Sequence, residues 1–430
     1  MKYDPINNKL FIKNRAKFTT QMKSKSIAVF NSNDVFTTGA DSTLPFEQHR
    51  DIFYLSGIDQ EESILLLFPD AIDPKHREIL FLTETNDHIA IWYGEKYSKE
   101  DATNVSGIKT VYWLQEFDKV LYDLMTEADT IYFNTNEHYR QAEELESRED
   151  RFIKKCKAKF PAHKWEKSNQ ILQNLRGVKE QEELDIIQHA CNITEKGFRR
   201  ILPFVKPDIM EYEIEAEFMH DFLRNRSDGF AYTPIIASGY SACVLHYIEN
   251  NKTCKDGDLL LMDVGAKYAN YSSDMTRTIP VNGKFSDRQK AVYNAVLRVK
   301  IAATKMLAPG VLWAEYQKEV GKLMSSELLG LGLIDKADIQ NENPNWPAYK
   351  KYFMHGTSHH MGLDTHDYGA LKTPMEASMV FTVEPGIYIP EENMGIRIED
   401  DVVVQKNGEP FNLMRNIPIE VEEIEDLMNS

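Results

Sequence analysis

The chain has 430 residues, 42% of them hydrophobic, 27% charged and 11% aromatic, which is enough apolar material for two or three domains with their own cores and excludes a disordered chain. No apolar run approaches the ~20 residues that cross a bilayer, so a membrane span is excluded as well. With 50 basic residues against 67 acidic ones the net charge is −17, which repels phosphate backbones and argues against nucleic acid as a partner.

The opening stretch MKYDPINNKLFIKNRAKF mixes charge, Asn and Pro with isolated apolar residues. It lacks the apolar core of a secretory signal, so a cytoplasmic protein is expected. Ser63 to Phe68 (SILLLF) and Glu78 to Leu82 (EILFL) read as buried strands of a mixed α/β domain. Glu143 to Lys159, dense in both signs of charge, predicts a solvated helix. Leu184, Ile187, Cys191 and Phe198 then follow helical spacing behind an acidic first turn, which places a domain boundary between residues 172 and 173. Further helices are expected to about residue 225, and a β-hairpin over CKDGDLLLMDVGAKYANYSSDMTRTIPV. Helices from Asp287 to about Leu307 and on to about Leu328 precede a return to strands in VFTVEPGIYIP and GIRIEDDVVV. The acidic end, Glu420 to Leu427, reads as the solvated face of a last helix. The order implies an α/β amino-terminal domain (1–172) followed by an α+β domain (173–430). Cys156, Cys191, Cys243 and Cys254 form no CxxC pair and are expected as buried free thiols.

The sequence contains no GxSxG elbow, GxGxxG, GxxxxGK[ST] loop or HExxH helix, so serine hydrolases, nucleotide-binding enzymes and the common zinc proteases are not indicated. Carboxylates and histidines on strands remain. A hairpin turn centred between Tyr268 and Ala269 would set Asp263 and Asp274 on one rung, where two like charges about 5 Å apart need a cation between them. Period-two alternation puts Glu384 with Thr382 on one face of its strand, and Arg397 with Glu399 on one face of the next. A buried acid needs a partner, which for Glu399 is either Arg397 or a metal. His355, His359, His360 and His366 crowd into HGTSHHMGLDTHD and supply an imidazole. Four carboxylates and one imidazole form a hard set that suits manganese, with room for two ions about 4 Å apart.

Taken in order, DVGA at Asp263, SSDMTRT at Asp274, GTSHHMGLDTHD around His359, VEPGIY at Glu384 and GIRIEDD at Glu399 resemble the proline-specific branch of the creatinase/aminopeptidase "pita-bread" metallopeptidases, and most of all its aminopeptidase P group. RDIFYLSGIDQEESILLLFPD is similar to that family's amino-terminal domain, so the resemblance spans essentially the whole chain. It implies a two-metal Xaa-Pro aminopeptidase with Mn2+, or alternatively Co2+ or Zn2+. In it Asp263 would bind one ion, Asp274 and Glu399 would bridge both, and His359 and Glu384 would hold the other. It further implies a bridging hydroxide as nucleophile and Glu384 as proton shuttle. His246 and His366 would stabilise the tetrahedral intermediate, and His355, Tyr388 and Arg397 would shape the pocket. The implied substrates are peptides with a penultimate proline, and the implied assembly is a homodimer or homotetramer. The rival activity is an Xaa-Pro dipeptidase; a non-enzymatic module on the same fold is disfavoured because all five ligand positions are intact. Two departures stand out: His360 where bacterial members often have tryptophan, and a short connection between Glu384 and Glu399.

Overall fold

The computed structural model describes residues 3–138, 140 and 145–430. It divides into two compact units, Pro5–Leu175 and Arg176–Ser430, the latter with Tyr3 and Asp4.

The amino-terminal unit is built on a mixed sheet of β1 (Ser26–Asn31), β2 (Ile64–Leu67), β3 (Glu78–Leu82), β4 (Thr110–Trp113), β5 (Thr130–Phe133) and β6 (Lys164–Lys167), in the order β4-β3-β2-β1-β5-β6. β1, β2 and β5 are buried along their whole length, which is why their sequences run apolar without alternation. Ile27, Val29, Leu66, Phe81 and Ile131 form one core with Phe117, Leu121, Phe152 and Cys156 from the helices Phe117–Met125 and Arg148–Lys159. The second of these begins later than the charge pattern predicts and is not merely solvated, since Phe152, Ile153 and Cys156 are buried. Ser147 caps it by accepting from the Asp150 N–H; Glu143 and Glu144 lie outside the described residues.

In the carboxy-terminal unit the helices Gln181–Ile201 and Glu211–Arg224 pack together, burying Ile187, Cys191 and Phe198 with Ile214, Phe218 and Phe222. The strands form small sheets. One joins β8 (Ile235–Ser238), β9 (Leu259–Val264) and β12 (Met275–Pro280), and a second joins β7 (Gly229–Phe230), β10 (Ala266–Tyr268) and β11 (Tyr271–Ser272). A third holds β13 (Val380–Val383), β16 (Asp400–Val403) and β17 (Phe411–Asn412), and β14 (Gly386–Ile389) pairs with β15 (Met394–Arg397). The helices Asp287–Met306 and Trp313–Gly330 pack on each other, and the first also meets β13, β14 and β15. None of the described helices is long and apolar enough to cross a membrane.

Further details differ from the sequence expectation. The hairpin closes through Ala269 and Asn270, with φ of 50° and 65°, so its turn is centred one residue later than predicted. Left-handed backbone at both positions is the mark of a two-residue hairpin turn, and Asn tolerates it well. The register therefore shifts by two, and Asp263 faces Thr276, not Asp274. A shift of two keeps every side chain on its face, so Asp263 and Asp274 still look the same way. Second, GIRIEDDVVV is two strands in different sheets: at the corner Ile398 N–H donates to the Pro385 carbonyl and Glu399 N–H to that of Thr276. Third, the last helix, Val421–Met428, is anchored, with Val421 and Ile424 buried and Glu425 accepting from the Phe285 N–H. Cys156, Cys191 and Cys254 are buried free thiols as expected, whereas Cys243 is only half-buried.

One acid of the amino-terminal unit carries a pH prediction. The buried Glu149 carboxyl accepts from Asn31 Nδ2 at 2.7 Å and from the Asn134 N–H at 3.2 Å. Burial nevertheless pushes it up to about 7. A group raised on folding contributes stability that is present below its unfolded value near 4.5 and is lost as pH rises through 7. Glu149→Gln does not titrate and can still accept from Asn31. It should remove roughly 2 kcal/mol from the fall in unfolding free energy between about pH 5 and 8, read by urea unfolding. Identical pH slopes in both proteins would refute this assignment.

Candidate metal centre

Strand register builds the site. Asp263 on β9 faces Thr276 on β12, and Thr276 in turn bridges to Glu399 at the head of β16. The β13–β16 pairing sets Val383 against Asp400, so one residue further along Glu384 stands against Glu399. Asp263, Thr276, Glu399 and Glu384 thus form one row across adjacent strands, with neighbouring Cβ atoms about 5 Å apart. The stretch Thr357–His360 runs along the free edge of β13: Thr382 N–H donates to the His359 carbonyl and Glu384 N–H to that of Thr357. This pairing brings the His359 imidazole to the row, its Nε2 lying 3.4 Å from Asp274 Oδ2 and 3.7 Å from Glu384 Oε1. Among the described residues, Asp274, His359 and Glu399 each offer a ligand atom, and these atoms lie within 4.8 Å of one another.

Neutral and cationic groups brace the row. The Tyr232 hydroxyl sits 2.6 Å from both Asp263 Oδ1 and Asp274 Oδ1. Thr276 Oγ1 donates to Glu399 Oε2 at 2.6 Å and accepts from Arg397 Nε at 3.0 Å. Arg397 Nη2 donates to Asp263 Oδ2 at 2.5 Å and its Nη1 to the Tyr388 hydroxyl at 2.8 Å. Arg397, one of the alternative partners considered for Glu399, therefore pairs with Asp263 instead. His355 Nδ1 lies 2.7 Å from the Gly356 carbonyl, which can only accept, so that nitrogen carries the proton and Nε2 accepts from the Tyr388 hydroxyl at 2.7 Å. Burial, with Arg397 nearby, lowers His355 to about 3 and keeps the ring neutral.

So many acids in one buried place repel one another. Burial, then Asp274 and Glu384, holds the Glu399 carboxyl well above its ordinary value, and burial raises Asp263 despite Arg397. Glu384 is pushed up to about 7 by burial, against the pull of His359 and Arg397. Burial would lower His359, yet Asp274 and Glu384 raise it to about 9. The whole group draws positive charge into its centre, and an oxygen-rich set with one imidazole is the donor chemistry of a hard divalent ion.

Comparison with known proteins agrees. Residues 185–406 match Metallopeptidase family M24, and residues 11–132 match the N-terminal domain of aminopeptidase P. The chain belongs to metallopeptidase family M24. It is 32% identical to an Xaa-Pro aminopeptidase of Escherichia coli K12, over 98% of each chain. It is 30% identical to Xaa-Pro aminopeptidase 3 of Homo sapiens, over 95% of this chain and 82% of the human one. Among solved structures, zinc-substituted E. coli aminopeptidase P in complex with product superposes with a TM-score of 0.88 at 30% identity, covering 99% of both chains. Aminopeptidase PepP of Pseudomonas aeruginosa gives 0.89 at 30% identity, over 99% and 98%. As an M24 enzyme the protein is a metallopeptidase, and its carboxy-terminal unit has the pita-bread fold.

Asp263, Asp274, His359, Glu384 and Glu399 come together in this place, with His355, Tyr388 and Arg397 joined in the hydrogen-bond chain behind them. His366 is exposed, its ring centroid 4.3 Å from that of His359, and His246 is exposed but close enough for its charge to act on His355. His360 turns away: its ring is buried against Phe381, and a Cβ on Gly369 would stand 1.9 Å from it. Tyr232 and Thr276 were not identified from sequence. Thr276 was legible, because it lies two residues after Asp274 and so shares its face. Tyr232 carried no such signal, being 31 residues from one aspartate and 42 from the other. Tyr232→Phe should keep the fold and weaken divalent-ion binding by roughly 10- to 100-fold, measured by titration calorimetry. Unchanged affinity would mean that the two aspartates hold their places without the hydroxyl.

Proposed function

We propose that this M24 enzyme releases the first residue of peptides whose second residue is proline, as an Xaa-Pro aminopeptidase. The row of buried carboxylates with His359 at its end carries this reading, supported by relatives named Xaa-Pro aminopeptidase over nearly the whole chain. Asp263, Asp274, His359, Glu384 and Glu399 would hold two divalent ions, with manganese preferred by the hard donor set and cobalt or zinc as alternatives. When bound, the ions supply Lewis-acid polarisation of the scissile carbonyl and a water acidic enough to attack it at neutral pH.

The chain's own groups do the rest. Glu384, standing beside His359 in the row, would accept a proton from the attacking water and return it to the leaving proline nitrogen. His366 stands exposed beside His359 and His246 exposed near His355, and both would meet the substrate carbonyl and the charge that develops on it. Arg397 and Tyr388 are buried and fix Asp263 on one side and His355 on the other. Together with His355 they would form the wall on the proline side of the bond. In this reading residues 1–172 are the creatinase-like amino-terminal domain and 173–430 the catalytic domain. The enzyme would work in the cytoplasm as a homodimer or homotetramer, without nucleic acid or membrane.

The test is product analysis of manganese-loaded protein given an Xaa-Pro-Xaa tripeptide and an Xaa-Pro dipeptide side by side. Release of the first residue from the tripeptide is expected, and cleavage of the dipeptide alone would replace this reading with a dipeptidase. Asp274→Ala and Glu384→Ala should each reduce hydrolysis to background; full activity in either variant would refute the assigned ligand set.

A further inference from the structure

The stretch from Met361 to Tyr368 lies in no helix or strand, yet it carries His366 beside the ligand His359. At its start Met361 N–H donates to the Val380 carbonyl and Gly362 accepts from the Ser272 N–H; beyond that its backbone closes on itself, with Gly362 N–H donating to the Asp364 carbonyl and Asp367 N–H to that of His360. The stronger ties come from outside. Arg176, 2% exposed, donates from one nitrogen, Nη2, to Asp364 Oδ2 at 2.7 Å and to Asp367 Oδ1 at 2.5 Å. Its guanidinium also stacks 4.9 Å from the Tyr368 ring centroid. Lys179 Nζ donates to Asp367 Oδ2 at 3.3 Å and to the Arg176 carbonyl at 2.7 Å. The cluster is fastened to the strand that ends at Glu384, since Lys179 N–H donates to the Ser378 carbonyl and Val178 bridges Met379 just before β13.

We propose that Arg176 is a positioning residue that sets His366 in the active site by holding the aspartates on either side of it. A buried ion cluster adds little net stability over packed apolar groups, and what it supplies is one fixed arrangement. Asp364 and Asp367 flank His366 at −2 and +1, so a single guanidinium fixes the backbone before and after the histidine and leaves the ring itself exposed. The proposal rests on the role given above to His366.

The experiment is a double-mutant cycle in the manganese-loaded enzyme on an Xaa-Pro-Xaa peptide, with Arg176→Gln, His366→Ala and the double variant. Asp364→Asn runs in parallel, because Asp364 has a side chain 40% exposed and is the gentler break should Arg176→Gln fail to fold. Arg176→Gln or Asp364→Asn should lower kcat by roughly 10- to 100-fold with KM changed less than about threefold and metal content unchanged. Each combined with His366→Ala should be no worse than His366→Ala alone. Arg176→Lys, whose ammonium can still reach both carboxylates, should recover part of the loss. Normal activity in His366→Ala would overturn the reading of the site itself. An impaired His366→Ala with multiplicative losses in the double variants, or a loss of bound metal in Arg176→Gln, would overturn the positioning role alone.

Discussion

Repulsion among buried carboxylates is the constraint from which the rest of the catalytic unit follows. Asp263, Asp274, Glu384 and Glu399 meet where water is scarce, and burial there raises three of them above the ordinary carboxylate range. Such a cluster survives folding only if every remaining oxygen has a donor or a cation. The structure meets that demand unevenly. Arg397 gives one full charge to Asp263, Thr276 gives one hydrogen bond to Glu399, and Tyr232 has one proton for two aspartates. Of the oxygens that these groups do not satisfy, Asp274 Oδ2 and Glu384 Oε1 lie 3.4 and 3.7 Å from His359 Nε2.

The balance of those partners also explains why a neutral hydrogen-bond chain runs behind the charged row. Were His355 protonated, its ring would bring a further positive charge next to Glu384, whose Oε2 lies 3.5 Å from His355 Nδ1, and Nε2 could no longer accept from Tyr388. Burial prevents this, with the aid of Arg397. Its charge, added to burial, holds His355 neutral, while Tyr388 passes the arginine's hydrogen bond on to the imidazole. One guanidinium thus neutralises an acid on one side and keeps a base uncharged on the other.

Much of the fold and of this site was legible in the sequence, and what was not has specific causes. Apolar runs bounded by turns located β2 and β3, and period-two alternation assigned faces to Glu384, Arg397 and Glu399 correctly even where the supposed single strand bends into two. The pairing of Asp263 with Asp274 failed by two positions because the turn type depends on Ala269 and Asn270 taking left-handed backbone, a choice that composition does not announce. Faces are robust to such a slip, whereas rungs are not, so the shared face of Asp263 and Asp274 could be read while their opposite neighbours could not. Arg176 and Tyr232 escaped notice because their partners lie far along the chain and only tertiary packing brings them together.

The run Glu399, Asp400, Asp401 shows how alternation separates acids that must be neutralised by the protein from those that await something else. Asp400 points to the back of the sheet, where Arg277 Nη2 meets its Oδ1 at 2.6 Å and Lys300 and Asn412 meet its Oδ2. Burial alone would raise that carboxyl, yet the two cations hold it below its usual value. Arg277 also donates to the carbonyls of Thr276 and Glu399, tying the two strands together directly behind the site. Glu399 and Asp401 point the other way. Asp401 accepts the Asp274 N–H at 2.9 Å and so helps to place that aspartate, and burial with the Asp274 charge holds its carboxyl well above the ordinary range. Arg277 and Lys300 serve the rear face, whereas on the front Arg397 pairs with Asp263. A strand that turned Arg277 to the front would set a built-in counter-ion among the acids of the row.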